Sequence, residues 1–361
     1  MFLQRITLTD FKNIEKADLE FSSNVNCICG NNGEGKTNLL DAIYYLSMTK
    51  CFTVSSDVFT LRDGTNESIL YGNYIKDELE EKIAISVRRK GEKVIKRNSK
   101  KYARKSDHVG LIPVVVVSPS DTSLINDSGE ERRKFMNAIL SQTDHLYLRA
   151  VQAYNRIISQ RNKVLKDNNP SEFLLDTLSD QLSKEASYIY EKRKSLIKSL
   201  SEEVTEYYKE LSGDRENINM KYSSDLDKGS LKDILQKSKQ RDKILQYTSQ
   251  GIQRDDIIFE MKGFPMKKTA SQGQQKSFLI AIKLAQFSFM KKLYGFSPIL
   301  LLDDVFDKLD IRRVENLIKM VASNGFGQIF ITDSNKVRLT SIVKEITSEN
   351  KFFMVKEGQF E

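Results

Sequence analysis

The chain has no tryptophan, two histidines, three cysteines and five prolines in 361 residues. Cys27, Cys29 and Cys51 cannot build a disulfide framework, and with two histidines they make no structural zinc set. No apolar run approaches the roughly 18 residues of a membrane span; Val114–Val117 and Ile299–Leu302 have strand length. Met1-Phe2-Leu3-Gln4-Arg5 lacks the charged segment and apolar block of a secretory signal. These absences predict a reduced, cytoplasmic protein. What is present suffices for real cores: 39% of residues are hydrophobic and 29% charged. At roughly 150 residues per domain, the length predicts two domains.

Net charge is +8, and its placement is uneven. Between Arg88 and Lys105 stand ten Lys/Arg and one acid, Glu92, a net +9 that leaves the rest near neutral. The alternation Lys82–Val87, the turn Lys90-Gly91-Glu92 and the resumption at Val94-Ile95 predict a hairpin. Lysines on an edge strand block aggregation. The same cations in this density also suit phosphate contact, which makes Arg88, Arg89, Lys90, Lys96, Arg97, Lys100 and Lys101 candidate DNA contacts.

Along the chain the pattern runs α/β, then α, then α/β. Val25–Cys29 and Val114–Val117 read as buried strands and Asn38–Leu46 as a helix. From about residue 130 the composition turns Lys/Glu/Leu/Ser-rich. Tyr147, Val151, Tyr154 and Ile158 recur at helical spacing, as do Leu175, Leu178, Leu182, Ile189, Leu196, Leu200, Val204, Tyr207 and Leu211, with Gly213 as a C-cap. After Gly251 the pattern predicts a helix over Phe278–Leu293, a strand at Ile299–Leu302, a helix over Ile311–Ser323 and a strand at Gln328–Thr332. The expected architecture is a discontinuous α/β domain, residues 1–125 and 252–361, with an all-helical lobe, 126–251, inserted in it.

Gly30-Asn31-Asn32-Gly33-Glu34-Gly35-Lys36-Thr37 fits G-x-x-x-x-G-K-[ST], between an apolar strand and a helix beginning at Asn38. Its backbone N–H groups can ring a triphosphate, Lys36 adds a charge and Thr37 a hydroxyl for Mg²⁺. The apolar strand Pro298–Leu302 ends in Asp303 and Asp304: Asp303 to hold Mg²⁺, Asp304 to polarise the attacking water. Ser271-Gln272-Gly273-Gln274-Gln275-Lys276 opens the next helix as a second anion cradle. In ATP-binding-cassette proteins such a cradle faces the ATP held by a partner subunit. ATP is thus the expected ligand of an ABC-type P-loop head.

Together these motifs and Leu300-Leu301-Leu302-Asp303-Asp304-Val305-Phe306-Asp307-Lys308-Leu309-Asp310 resemble the RecF recombination-mediator family, relatives of SMC-type ATPase heads. The likeness extends to Phe11-Lys12-Asn13, Ser118-Pro119-Ser120-Asp121, Glu131-Arg132-Arg133-Lys134-Phe135, Gln160-Arg161-Asn162 and Arg254-Asp255-Asp256. The chain has no room for the long coiled coil of SMC proteins.

The resemblance implies a weak ATPase that dimerises on ATP and binds double-stranded and single-stranded DNA, the duplex near single-strand gaps, in replication, gap repair and the SOS response. RecO and RecR are the implied partners and RecA the protein they load. It assigns Gly30 through Asn38 and Lys12 to nucleotide, Thr37 and Asp303 to metal, and Lys36 and Asp304 to catalysis. Ser271, Gly273 and Gln274 would face the partner's ATP, and Asp307–Asp310 the dimer interface. Departures from the family pattern are Lys12 and Lys276 for arginine, Thr53 for a frequent arginine, Ser120 for an acid, Asp127 for glycine, Asn137 for aspartate and Ile252-Gln253 for Pro-His. Thr332-Asp333-Ser334 stands where transporter-type relatives carry a histidine, and a hydroxyl there could orient water. A different reading of the same head is a sensor ATPase controlling a separate defence effector.

Overall fold

The computed structural model describes every residue except 214, 215, 307, 308, 310, 324, 337, 338, 341, 342 and 344–348. The chain divides into two compact units. One joins Met1–Asp121, Glu210–Gly213 and Gln272–Glu361; the other joins Thr122–Lys209 and Asp214–Ser271.

The first unit begins with strands β1 (Phe2–Phe11), β2 (Ile14–Glu20) and β3 (Val25–Cys29), then helix α1 (Lys36–Met48). Strands β4 (Glu67–Lys76), β5 (Leu79–Arg88), β6 (Lys93–Arg97), β7 (Lys100–Lys101) and β8 (Val114–Val117) follow. The second unit holds helices α2 (Ser123–Asn126), α3 (Gly129–Thr143), α4 (His145–Leu165) and most of α5 (Glu172–Ser212). It continues through β9 (Ile218–Ser223), α6 (Leu231–Leu245), β10 (Asp256–Met261), β11 (Phe264–Pro265) and α7 (Met266–Thr269). The chain then returns to the first unit with α8 (Gln272–Tyr294), β12 (Ile299–Asp303), α9 (Ile311–Ser323), β13 (Ile329–Asp333), β14 (Asn350–Lys356) and β15 (Gln359–Phe360).

Two six-stranded sheets build the first unit. One is antiparallel, in the order β2-β1-β4-β5-β6-β7; the other runs β15-β14-β3-β13-β12-β8. In the second sheet β14, β3, β13, β12 and β8 are mutually parallel. Strands β3, β12 and β13 are buried at every position, which is why they read as unbroken apolar runs rather than alternation. Helix α1 packs against strands of both sheets. Leu39, Leu40, Ala42, Ile43, Tyr45 and Leu46 are all buried there, so it is apolar nearly all round. Burying each large side chain contributes about 1.5–3 kcal/mol. Gln328 staples the sheets: its amide donates to Leu3 O at 2.7 Å and Ser22 O at 2.8 Å, and its carbonyl accepts from Leu3 N–H at 2.7 Å.

In the second unit the helical periodicity is realised with one shift. Helix α5 buries Leu175, Leu178, Leu182, Ile189, Leu196, Leu200, Val204 and Leu211, but Tyr208 rather than Tyr207, because four residues past Val204 returns to the same face. The unit is not all-helical. Strands β11-β10-β9 form a three-stranded sheet, and β10 lies in residues 252–271, which the composition had suggested for the α/β domain. Six-residue pairing of Asp256–Met261 with Ile218–Ser223 holds this segment in the second unit.

Buried arginines organise that unit. Arg161 donates to Asp242 and Thr248, both at 2.8 Å, while Asn162 accepts from Thr248 N–H at 2.8 Å. Arg193 donates to Asp255 at 2.6 Å, Ile252 O at 2.8 Å, Tyr147 Oη at 3.0 Å and Asn137 Oδ1 at 3.0 Å. Arg132 forms a two-pronged pair with Asp256, and Arg133 donates to Asp255 O. The Arg-Arg, Gln-Arg-Asn and Arg-Asp-Asp runs thus find their charge partners within the unit, as buried charge requires, although Asp255 Oδ1 is buried without a hydrogen-bond partner among the described residues. The departures Asn137 and Gln253 join the same scheme; Gln253 accepts from the Tyr154 hydroxyl at 2.5 Å.

Candidate functional site

The parallel sheet delivers its chemistry at the carboxyl ends of its strands, the usual place for ligands in open α/β sheets. From β3 the chain enters the Gly30–Lys36 loop and turns into α1. Gly35 has φ +114° and Gly33 φ +88°, conformations side-chain-bearing residues rarely adopt. Lys36 is buried and donates to the loop's own carbonyls, Gly30 O at 2.7 Å and Asn31 O at 2.9 Å. The cation thus sits inside the ring that the loop makes.

Thr37 and Asp303 meet directly, although 266 positions separate them in the chain. The Thr37 hydroxyl lies 2.9 and 3.1 Å from the two carboxylate oxygens. The Thr332 hydroxyl, from the neighbouring strand β13, donates to Asp303 Oδ1 at 2.8 Å and accepts from Asp304 N–H at 2.9 Å. Burial pushes the Asp303 carboxyl above its ordinary pKa, and the two hydroxyls oppose that rise. Asp304 has φ +50° and is half-buried. Thr332 is committed to these aspartates, and Asp333 caps Asn335 N–H at 2.8 Å. The Thr332 hydroxyl orders the acids instead of standing free for water.

Oxygen donors of this kind suit Mg²⁺, which takes one or two protein ligands and completes its shell with water and phosphate. Thr37 and Asp303 fit that role, and no third carboxylate is called for. Among the described residues no group of three or more His, Cys, Asp or Glu is arranged for a metal.

Contacts from outside the glycine-rich run hold the loop. Asn13 Nδ2 donates to Glu34 O at 3.2 Å, and Asn38 Nδ2 to Asn13 Oδ1 at 2.7 Å. The turn between β14 and β15 closes on the same carbonyl: Gly358 N–H donates to Glu34 O at 2.8 Å, and Glu357 N–H to the Glu34 carboxylate. Lys12 pairs with the fully buried Asp41, and Thr53 donates to the same carboxylate. Two of the three positions that depart from arginine, Lys12 and Thr53, thus close on Asp41, while the third, Lys276, donates to Asp304 O at 3.4 Å. At the second cradle, Arg313 donates to Gly273 O at 2.9 Å and Ser277 Oγ at 2.6 Å, fixing the first turn of α8. Ser271 is exposed, and Gly273 and Gln274 are half-buried. Asp307, Lys308 and Asp310 of the expected interface loop lie outside the described residues.

The basic hairpin is split. Arg88 pairs with Glu67 and Glu92, Arg97 with Glu81, Lys93 with Asp57, and Arg89 donates to Thr65 O. Lys90, Lys96, Lys100 and Lys101 are exposed and have no ion pair among the described residues.

Comparison with known proteins matches this organisation. Residues 2–354 match the family model for the RecF/RecN/SMC N terminal domain. A DNA replication and repair protein RecF from Parabacteroides distasonis is 43% identical over 359 residues, covering 99% of this chain and 98% of its own. The Flavobacterium johnsoniae RecF is 42% identical over 357 residues, covering 98% and 99%. A solved structure of the recombination mediator RecF with ATP, from the RecFOR pathway, superposes with TM-score 0.88 at 28% identity, covering 100% of this chain and 97% of that one. An Smc head from Pyrococcus furiosus shares the fold at TM-score 0.58 and 15% identity, covering 100% and 95%. With the phosphate loop, the strand-end aspartates and this likeness along its whole length, the chain belongs to the RecF family of DNA replication and repair proteins, built on an SMC-type ATPase head.

Proposed function

We propose that this protein is an ATP-gated DNA clamp of recombinational gap repair. The observation that carries the reading is the Thr37–Asp303 contact at 2.9 Å, which joins the phosphate loop to the strand-end acids. On this reading Gly30 through Asn38 wrap the triphosphate, and Lys36 turns from its loop carbonyls to the β- and γ-phosphates. Lys12 lies beside α1, paired with its Asp41. Thr37 and Asp303 hold Mg²⁺, which neutralises phosphate charge when bound. Asp304 orients and polarises the attacking water. Thr332 keeps both acids in register. On this reading hydrolysis is slow.

ATP brings two copies together, each offering Ser271, Gly273 and Gln274 to the other's nucleotide. The dimer grips double-stranded DNA beside a single-strand gap, and with RecO and RecR it promotes RecA loading, in replication and the SOS response. The basic strands supply phosphate contacts. Action on chromosomal DNA places the protein in the cytoplasm; among the described residues no helix is long and apolar enough to cross a membrane.

The test is duplex binding and oligomeric state with and without ATP, for the wild type and Lys36→Ala. Dimerisation and tighter binding with ATP, lost in the variant, support the clamp. Binding indifferent to ATP removes the gating. ATP-dependent dimerisation with no DNA affinity shifts the assignment to a sensor of a separate effector.

A further inference from the structure

We propose that Arg313 is a positioning residue that acts across the dimer. It holds the Gly273–Gln274 peptide so that the Gln274 N–H meets the phosphates of the ATP bound by the other copy. The inference rests on the reading of an ATP-assembled dimer. It adds a residue that lies outside the phosphate loop, the strand-end acids and the Ser271–Lys276 run.

Glycine brings no side chain to anchor its backbone, so a turn built on glycine is loose unless other groups hold it. Gly273 is held twice through one oxygen. Arg313 Nη1 donates to Gly273 O at 2.9 Å, and Ser277 Oγ donates to the same oxygen at 3.0 Å. Arg313 Nη1 also donates to Ser277 Oγ at 2.6 Å, so the three groups close a triangle. Ser277 is buried, which shields that corner of the triangle from water.

The peptide bond carries the effect onward. Its atoms lie in one plane, with C=O and N–H pointing in opposite directions. Fixing Gly273 O therefore fixes the direction of the Gln274 N–H. Helix α8 begins at Gln272, so that N–H is directed out through the N-terminal end of the helix. Arg313 thus aims a donor without touching the ligand. Its charge-assisted bonds are stronger than the neutral bond from Ser277. Lysine, a point charge on a flexible stem, would hold the plane less firmly.

The same turn is tied to the chain's own nucleotide site. Arg313 stands in the first turn of α9, three positions past Asp310 of the expected interface loop. One turn further along α8, Lys276 Nζ donates to Asp304 O at 3.4 Å. The turn offered to the partner is thereby joined to Asp304, the acid assigned to the chain's own attacking water.

The test uses the full chain with ATP and duplex DNA. Arg313→Met keeps the apolar stem and removes the donors. It is expected to bind a fluorescent ATP analogue within about threefold of wild type, because its own phosphate loop is intact. Its kcat falls about 10²-fold, the cost of a displaced transition-state donor. Arg313→Lys keeps a donor and stays within about tenfold of wild type. Mixing separates action across the dimer from a local packing defect. Arg313→Met and Asp304→Asn are each slow alone. A mixed dimer places the intact Asp304 of one chain opposite the intact Arg313 of the other. Random pairing in an equal mixture then recovers about a quarter of the wild-type rate, since half of the two-fold dimers are mixed and each has one working site. No recovery on mixing overturns the proposal. So does an Arg313→Met rate within about threefold of wild type. Should Arg313→Met fail to fold, Arg313→Lys takes its place in the mixture under the same criterion. Wild type that stays monomeric with ATP overturns the clamp and this inference together. Wild type that dimerises, with no recovery on mixing, leaves the clamp standing.

Discussion

Thr332 donates its hydroxyl to the Asp303 carboxylate at 2.8 Å and takes the Asp304 N–H at 2.9 Å, so one side chain on β13 sets the geometry of both acids at the end of β12. Thr332 is itself fully buried. Replacing it by valine keeps the shape and leaves an N–H and a carboxylate oxygen short of a partner. Thr332→Val is expected to lower stability by about 1–3 kcal/mol, read from urea midpoints. It also removes a donor to ionised Asp303, whose pKa burial already raises. The sign follows: the protonated form gains, and the acid limb of the ATPase pH profile moves to higher pH. Thr332→Ser keeps both bonds and the wild-type profile.

Asp304 offers a clean separation of binding from hydrolysis. Its φ of +50° is a left-handed conformation that asparagine tolerates and β-branched residues do not. Asp304→Asn is therefore expected to fold normally and bind ATP like wild type. Its phosphate release falls by about 10²–10⁴-fold, the usual contribution of a general base. Equilibrium binding of a fluorescent ATP analogue and single-turnover phosphate release separate the two effects.

The legible part of this protein is the part written in short runs. The Gly30–Thr37 loop and the Pro298–Asp304 strand each carry their chemistry within eight or fewer consecutive positions, and their meeting follows from parallel-sheet geometry. Asn13 stands in the Phe11-Lys12-Asn13 likeness, but its contact with Glu34, like that of Gly358, was not legible, because both reach Glu34 only through the folded chain. The β9–β10 pairing was hidden for a related reason. Each strand is six residues long, so neither is distinguishable alone from a loop. The functions of Arg161 and Arg193 are invisible in a helical pattern: both lie on buried faces, where periodicity predicts an apolar residue.

Arg193 is the keystone of the polar core in the second unit. Its removal leaves Asp255 buried without its cation, although Tyr222 still donates to it at 2.5 Å. Breaking a buried pair from one side costs about 3–5 kcal/mol. Arg193→Met is expected to fall in that range in urea denaturation. Because burial already raises the Asp255 pKa, the variant's remaining carboxyl takes up a proton more readily, and its deficit shrinks as pH falls.

An exposed contrast lies between α5 and α6. Glu172 pairs with Lys239 and Lys243, and these cations hold its pKa down at about 2 against an ordinary 4.5. A depressed carboxylate stabilises the fold above its unfolded pKa and loses that stabilisation as pH falls through the folded value. Wild type and Glu172→Gln are thus expected to differ most above pH 4.5 and to converge as pH approaches about 2. High salt narrows the difference, since the Glu172 carboxylate is solvent-exposed although Lys239 is largely buried. Thermal melts at pH 6, 4 and 3 with and without salt check both trends.

The β14–β15 turn tests whether the nucleotide loop depends on the far end of the chain. Gly358 has φ +78°, and a Cβ there would lie 2.5 Å from Asn13 O, a backbone atom that cannot swing away. Gly358→Ala must therefore push the turn off the Asn13–Glu34 contact as well as pay for its conformation. Gly91, in the hairpin turn between β5 and β6, separates these two costs. Its φ is +85°, and an added Cβ would meet nothing within 4 Å. Gly91→Ala carries the conformational cost alone, about 1–2 kcal/mol, with ATP affinity unchanged. Gly358→Ala is expected to be less stable than Gly91→Ala and to bind ATP about tenfold more weakly, equivalent to about 1.4 kcal/mol at the loop. Equal ATP affinities in the two variants would show that the loop holds its shape without the turn. A selective loss in Gly358→Ala would mean that the return of the chain to Glu34, 324 positions on (358 − 34), is part of how the phosphate loop is preorganised.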